Sequence, residues 1–171
     1  LDISSWPTFD LEYVFLNLRS KSVGSKIKVN IKCPDDEKTE VPVEIDLDKV
    51  QCQMTEDHTN KIKITNKISM IMGYPQLIHL KNLKAVESTD SFKIISKCIY
   101  EIHDGDTIHN RVDIKEKELD EFVDQMNTKQ IESVMEFFDS SPKVRHVVKV
   151  TNPNTKVKSE VIIEGIDNFL V

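Results

Sequence analysis

The chain of 171 residues has only four glycines, three cysteines and one tryptophan, and each scarcity excludes something. Four glycines leave little for the Gly-rich loops that cradle phosphates, and no P-loop, dinucleotide fingerprint or Gly-x-Ser-x-Gly elbow occurs. Cys33, Cys52 and Cys98 are an odd number with no close pair, which fits reduced thiols in a cytosolic protein better than a secreted disulfide framework. There is no excess of base either: 23 Lys and Arg face 29 Asp and Glu, for a formal net charge of −6. Nucleic acid is therefore excluded as the main partner, because phosphate binding is driven by clustered Lys and Arg. No apolar run approaches the ~20 residues of a membrane span, and no signal peptide is visible. The chain also opens at Leu1 rather than Met, which points to a segment upstream of residue 1.

What the chain does have is a lysine-studded β-hairpin at each end. The first runs Lys26 to Lys32, passes Cys33-Pro34, and returns from Glu40 to Leu47. Both arms alternate apolar and polar residues, the period of strands with one buried face. Setting Ile31 against Val41 brings Val29 to Val43 and Ile27 to Ile45, while on the other face Lys28 meets Glu44 and Lys26 meets Asp46. One register satisfies both faces. The closing copy runs Arg145 to Val150, turns through Asn152-Pro153-Asn154 and returns from Ser159 to Glu164. Placing Lys149 against Glu160 and Arg145 against Glu164 matches its charges. Apolar residues on both its faces predict that it is the more buried of the two.

Between them the period changes to helical. Thr8 caps a helix from Phe9 to Arg19 that Gly24 stops, and this helix is apolar nearly all round, so it needs cover on several sides or from a partner. Lys61 to Ile64 reads as a third strand. Ser88 or Thr89 then caps a helix whose Phe92, Ile95, Ile99 and Ile102 continue to Gly105. Asp113 and Glu116 form a capping box for a helix with Leu119, Phe122, Val123 and Met126. Thr128 starts another with Ile131, Val134, Met135 and Phe138. The fold expected is a single α+β domain over 1–171: a buried or partner-facing helix (1–24), a hairpin and third strand (25–65), a helical region (66–140) and a C-terminal hairpin (141–171).

Catalytic and metal chemistry find little support. Cys33-Pro34 sits where a zinc ribbon has its first knuckle, but a structural zinc site draws paired Cys or His from both arms. Asp35, Asp36 and Glu37 stand in place of a second cysteine, and Asn152 in the other loop. The expectation is a pair of zinc-ribbon-like hairpins without zinc and without any cofactor. His103 to His109 concentrates metal-capable side chains around Gly105, yet it lacks the ligand pattern of a calcium loop and reads as a helix stop with a solvated acidic turn. His58, His79 and His146 are scattered. With no nucleophile, base and orienting group in view, an enzyme is not expected.

Three stretches carry a family resemblance. Phe9-Asp10-Leu11-Glu12-Tyr13-Val14-Phe15-Leu16 with Leu18 to Gly24 resembles the signature segment of the baseplate hub proteins of T-even-type myoviruses. The Cys33-Pro34 hairpin is similar to one in that family, where some members carry fuller cysteine knuckles. Met135-Glu136-Phe137-Phe138, Ser141-Pro142-Lys143-Val144 and Glu164-Gly165-Ile166-Asp167-Asn168-Phe169-Leu170 resemble its Phe-Phe, Pro-Lys and Gly-x-x-x-Phe close, with Leu170 where a second Phe is common. The resemblance implies a non-catalytic protein needed to assemble the central hub of a contractile-tail baseplate, made in the bacterial cytoplasm late in infection. It implies other hub proteins as partners and the tape-measure protein as a further one. Two alternatives are kept: a permanent structural component of the virion tail and a metal-binding regulatory module.

The residues place the partner contacts on the first helix, at Phe9, Tyr13 and Leu16, whose circumference needs more cover than one hairpin supplies. Met70, Met72, Met126, Met135 and the Phe137-Phe138 pair offer adaptable surface, although for most of them core packing is the simpler expectation.

Overall fold

The computed structural model describes residues 2–80 and 88–169. In chain order it begins with α1 (Thr8–Val23), β1 (Lys26–Lys32), β2 (Glu40–Asp46) and β3 (Gln51–Gln53). Next come β4 (Lys61–Lys63), β5 (Ile68–Met72), the single turn α2 (Leu77–Leu80), α3 (Ser88–Cys98), β6 (Ile99–Asp104) and β7 (Thr107–Asn110). Then follow α4 (Glu116–Asp124), α5 (Thr128–Ser140), β8 (Lys143–Thr151) and β9 (Lys158–Glu164). Helices and antiparallel strands make this an α+β fold, as the change of period predicts. The chain divides into two compact units, one of Phe9–Gln53 with Pro142–Val171, the other of Leu1–Thr8 with Met54–Ser141.

The first unit is built from the two terminal hairpins. β1 and β2 pair in the register that the sequence dictates, Ile31 opposite Val41, Val29 opposite Val43 and Ile27 opposite Ile45. On the outer face Lys26 lies opposite Asp46, but its ammonium reaches diagonally to Glu44 at 2.8 Å. β8 and β9 also pair as expected, with Arg145 opposite Glu164 and Lys149 opposite Glu160, and β3 adds to the free edge of β8. β2 runs against β8, so both sheets line one core of Ile27, Val29, Ile45, Val144, Val148, Val150 and Ile163, joined by Leu16 and Phe169. The second hairpin has the smaller share of exposed strand residues, as expected, yet only one of its faces is covered. Val147 and Ile162, directly opposite each other, are exposed, because the strand period turns them to the face that carries the two ion pairs.

The second unit holds a four-stranded antiparallel sheet in the order β4-β5-β6-β7. Its core includes Ile62, Met70, Met72, Ile95, Cys98, Ile99, Leu119, Val123, Val134 and Phe137, with α4 against α3 and α5 against β4. Ser96 is buried on α3 and donates to Asp120 of α4. Two helical expectations are corrected here. The run from Phe92 does not continue to Ile102: the helix ends at Cys98, whose carbonyl accepts the Gly73 N–H at 2.6 Å, and residues 99–104 form β6. Ile99, Tyr100 and Ile102 are β-branched or aromatic, and pairing with β5 outweighs their helical spacing. Gly105, with φ of +59°, belongs to the β6–β7 turn rather than to a helix end.

The second correction concerns a cap. Asp113 and Glu116 do not box α4, because Arg111–Asp113 are taken up in a 3-10 turn closed by the Ile114 N–H on the Arg111 carbonyl. The reciprocal contact falls two residues later, where the Lys115 N–H donates to Glu118 Oε2 at 3.4 Å. α5 begins at Thr128 as expected, with Asn127 and Gln130 exchanging side-chain and backbone hydrogen bonds at 2.8 and 3.1 Å. The capping expected of Ser88 or Thr89, and Leu170 of the closing motif, lie outside the described side chains.

Phe169 is fully buried among both hairpins of the first unit. Phe169→Ala is therefore expected to cost about 3–5 kcal/mol of stability, read as a lowered urea midpoint with an unchanged slope.

Candidate partner surfaces and the paired hairpin loops

α1 is covered on one side only. Leu16 and Ser20 are buried, and Ser20 donates to Asp48 at 2.6 Å, so this side faces the hairpin core. Leu16 is thereby corrected: its side chain belongs to the core and cannot serve as a surface contact. Phe9 is half-buried and Tyr13 stands exposed. The residues that the sequence reading passed over lie on the opposite side. Leu11, Val14, Phe15 and Leu18 recur at i, i+3, i+4 and i+7, a single helical stripe. Val14 is 40%, Phe15 48% and Leu18 63% exposed. Helical spacing alone would have found this stripe, but the side taken by the core was not visible in it.

The two hairpin loops have the same construction. In the first, the Glu37 N–H returns to the Cys33 carbonyl at 2.9 Å and the Cys33 N–H to the Thr39 carbonyl at 2.8 Å. In the second, the Lys156 N–H returns to the Asn152 carbonyl and the Asn152 N–H to the Val157 carbonyl, both at 2.9 Å. Glu37 and Lys156 take the left-handed conformation, with φ of 54° and 64°. Cys33 and Asn152 are both buried, each opening its loop. Between the loops, Asn152 Nδ2 lies 3.1 Å from both Asp35 oxygens and 3.0 Å from Asp36 Oδ2. The Thr155 hydroxyl donates to Asp35, and Asn154 Nδ2 donates to Thr39 Oγ1 at 3.1 Å.

These bonds set the electrostatics of the joint. Hydrogen bonds from Thr155 and Asn152 hold the Asp35 carboxyl below its ordinary range, and those from the Thr39 hydroxyl, the Thr39 and Lys38 N–H groups and Asn152 lower Asp36 further. Burial, then the charges of Asp35 and Asp36, push the Cys33 thiol up. The same carboxylates that accept the amide therefore oppose the thiolate a metal would bind. Among the described residues no group of three or more His, Cys, Asp or Glu is placed to hold a metal ion.

The remaining reactive groups are held in quiet states. Burial raises the Cys98 thiol to about 12, and burial followed by the charges of Asp10 and Glu12 raises Cys52. His103 and His109 sit on opposite faces of the β6–β7 hairpin, since His109 pairs with Ile102 and His103 with Ile108. His103 bonds Glu101 at 2.8 Å. His58 lies 2.9 Å from both Ser140 Oγ and Tyr74 Oη, and is stacked on Tyr74. Ser140 has one hydroxyl proton, which the Glu136 carbonyl takes at 2.7 Å. The imidazole then donates to Ser140 from Nδ1 and accepts from Tyr74 at Nε2, with burial lowering its pKa. It fastens the segment before β4 to the end of α5 and does not activate the serine.

A protein-family model described as "T4 bacteriophage base plate protein" matches residues 2–171. Comparisons with curated proteins and with solved structures found no match. No helix among the described residues is long and apolar enough to cross a membrane.

The loop joint generates two expectations. Asn152→Ala should destabilise the protein by about 1–3 kcal/mol, the cost of stripping a buried hydrogen-bonding group, and Asn152→Asp should be worse because it sets a third carboxylate against two. Prolonged dialysis against a chelator should leave the urea midpoint unchanged. The carboxyls of Asp35 and Asp36 have folded pKa values below their unfolded value of about 3.9, so their stabilisation is full above that pH and is lost as pH falls through the folded values. Urea midpoints measured from pH 7 down to 2.5 should fall below about pH 4, and less steeply in Asn152→Ala.

Proposed function

The chain belongs to the T4 bacteriophage base plate protein family, and from that membership we propose that it acts without catalysis in assembling the central hub of a contractile-tail baseplate. It is a phage baseplate protein; the hub role, made in the host cytoplasm by binding other hub proteins and the tape-measure protein, is our reading. The observation that carries it is the outward stripe of α1. Val14, Phe15 and Leu18, exposed on the side opposite the core with half-buried Leu11 at the N-terminal end of the stripe, make a ready face for helix or groove packing by another protein. Phe9 and Tyr13 recur with Leu16 and Ser20 at i, i+4, i+7 and i+11, so they lie on the core-facing side of α1, Phe9 half-buried and Tyr13 exposed at its margin; the contact role first assigned to them stays part of this proposal, and Leu16 supports the helix from beneath.

The absence of catalysis is supported by the state of the nucleophiles among the described residues: thiols pushed up in pKa, and a Ser140 hydroxyl whose proton is held by a backbone carbonyl rather than by the adjacent His58. Permanent residence in the virion is a second reading that the family equally favours. Mass spectrometry of purified, tail-complete particles separates it from release after assembly.

A large side chain at an interface centre is commonly worth 2 kcal/mol or more, about thirtyfold in affinity. Phe15→Asp and Leu18→Asp should therefore keep the urea midpoint of the parent while capture of hub proteins from infected cells falls at least tenfold. Leu16→Ala should instead lose about 2–5 kcal/mol of stability. Unchanged capture and normal baseplates with folded Leu18→Asp would rule out the stripe as the contact.

A further inference from the structure

In the second unit, α5 borders an open trough of about 910 Å³ that also touches α3 and the end of α4. Its floor is apolar: Phe92, Met126, Ile131 and Met135, of which Phe92 is 40% and Met135 47% exposed. Its rim is acidic, with Asp124 at one end and Glu132, Glu136 and Asp139 along α5, and among the described residues no lysine or arginine lines it.

Two features bear on what this rim can bind. None of the four carboxylates has an ion-pair partner among the described residues, so all four are available to a cation. Glu136 and Asp139 also fall in the last turns of α5, which contain no basic residue, so they face the negative end of the helix dipole. A placement that works against the helix in the free protein is one that a bound cation would relieve.

We propose that this trough receives a basic amphipathic helix from a partner protein. Apolar residues at i, i+3 or i+4, and i+7 of that helix seat on Met135, Ile131 and Phe92, and the flexible thioethers of Met126 and Met135 adapt to their shape. Lys and Arg on the flanks of the helix meet the four unpaired carboxylates. An acidic or neutral apolar helix would bury those carboxylates without compensation. The inference does not rest on the hub reading, so failure of hub capture leaves it standing.

The test is a fluorescence-anisotropy titration of the whole chain with a labelled synthetic helix of about 18 residues, leucines on one face and lysines on both flanks. Two controls accompany it, one with glutamate in place of lysine and one with the lysine peptide's composition scrambled. The lysine helix should bind at least tenfold more tightly than either control, and more weakly as salt rises. In Glu132→Lys/Glu136→Lys the preference should invert toward the glutamate helix, and Met135→Asp should abolish binding of both. The double variant replaces exposed residues and places a lysine at 136, in the last turns of α5, where a positive charge favours the helix, so it keeps the test decisive if Met135→Asp unfolds. Equal binding of the scrambled peptide would mean general attraction to an acidic chain and would overturn the proposal. So would a preference that does not invert.

Discussion

One buried amide joins the two ends of this chain. Asn152 has two amide hydrogens and three carboxylate oxygens within reach, so it bridges Asp35 and Asp36 at once while its own carbonyl oxygen accepts the Asn154 N–H at 2.9 Å. A metal-bearing pair of knuckles would join its loops by neutralising thiolates. Here the polarity is reversed: acids stand on one loop, and neutral donors on the other. The substitution is consistent with itself, since burial and then the carboxylates that bind the amide push the Cys33 thiol up. The hairpins are sequence-distant, and closing the long loop between them costs entropy that grows only slowly with its length, about 0.6 kcal/mol per doubling. A compact polar joint backed by a shared apolar core is enough to hold it.

Each unit has its own apolar core, so the apolar side chains left outside are not a deficit of burial. On α1 the contrast is within one helix: Leu16 is sealed while Leu18, two residues on, is mostly exposed. Single exposed apolar residues are ordinary, but a stripe at helical spacing and an apolar trough with unpaired acids are not.

How much of this was legible depended on how many constraints a segment carried. The register of β1 and β2 could be read because both faces encode it, apolar pairs on one and Lys against Glu or Asp on the other. β8 and β9 were readable from their charges, but the exposure of Val147 and Ile162 was not, because alternation names two faces without saying which is covered. The stretch from Phe92 to Ile102 misled because Ile95, Ile99 and Ile102 satisfy a helical period, while only the partner strand β5 decides that Ile99 starts a strand. The cap of α4 slipped by two residues because Lys115 is not a capping type and the turn before it consumes Asp113. Leu16 was assigned to the surface for a similar reason: an all-round apolar helix hides which side its own fold will take. The trough had a partial signal, Glu132, Glu136 and Asp139 along one line of α5, but its floor is assembled from α3, α5 and the connection before α5, and exists only in the fold.

The two surfaces differ in the physics of recognition. The charges of α1 balance, Asp10 and Glu12 against Arg19 and Lys21, so the affinity of its stripe depends mainly on the apolar area covered and on fit, and only weakly on salt. The trough along α5 carries a formal charge of four carboxylates on its rim, which steers a basic partner from a distance and discriminates against an acidic one at contact. Salt weakens the second and spares the first. A protein with both can recruit one partner rapidly and reversibly through charge while holding another by shape. An ordered assembly needs that separation, because contacts that form by the same physics compete at every step.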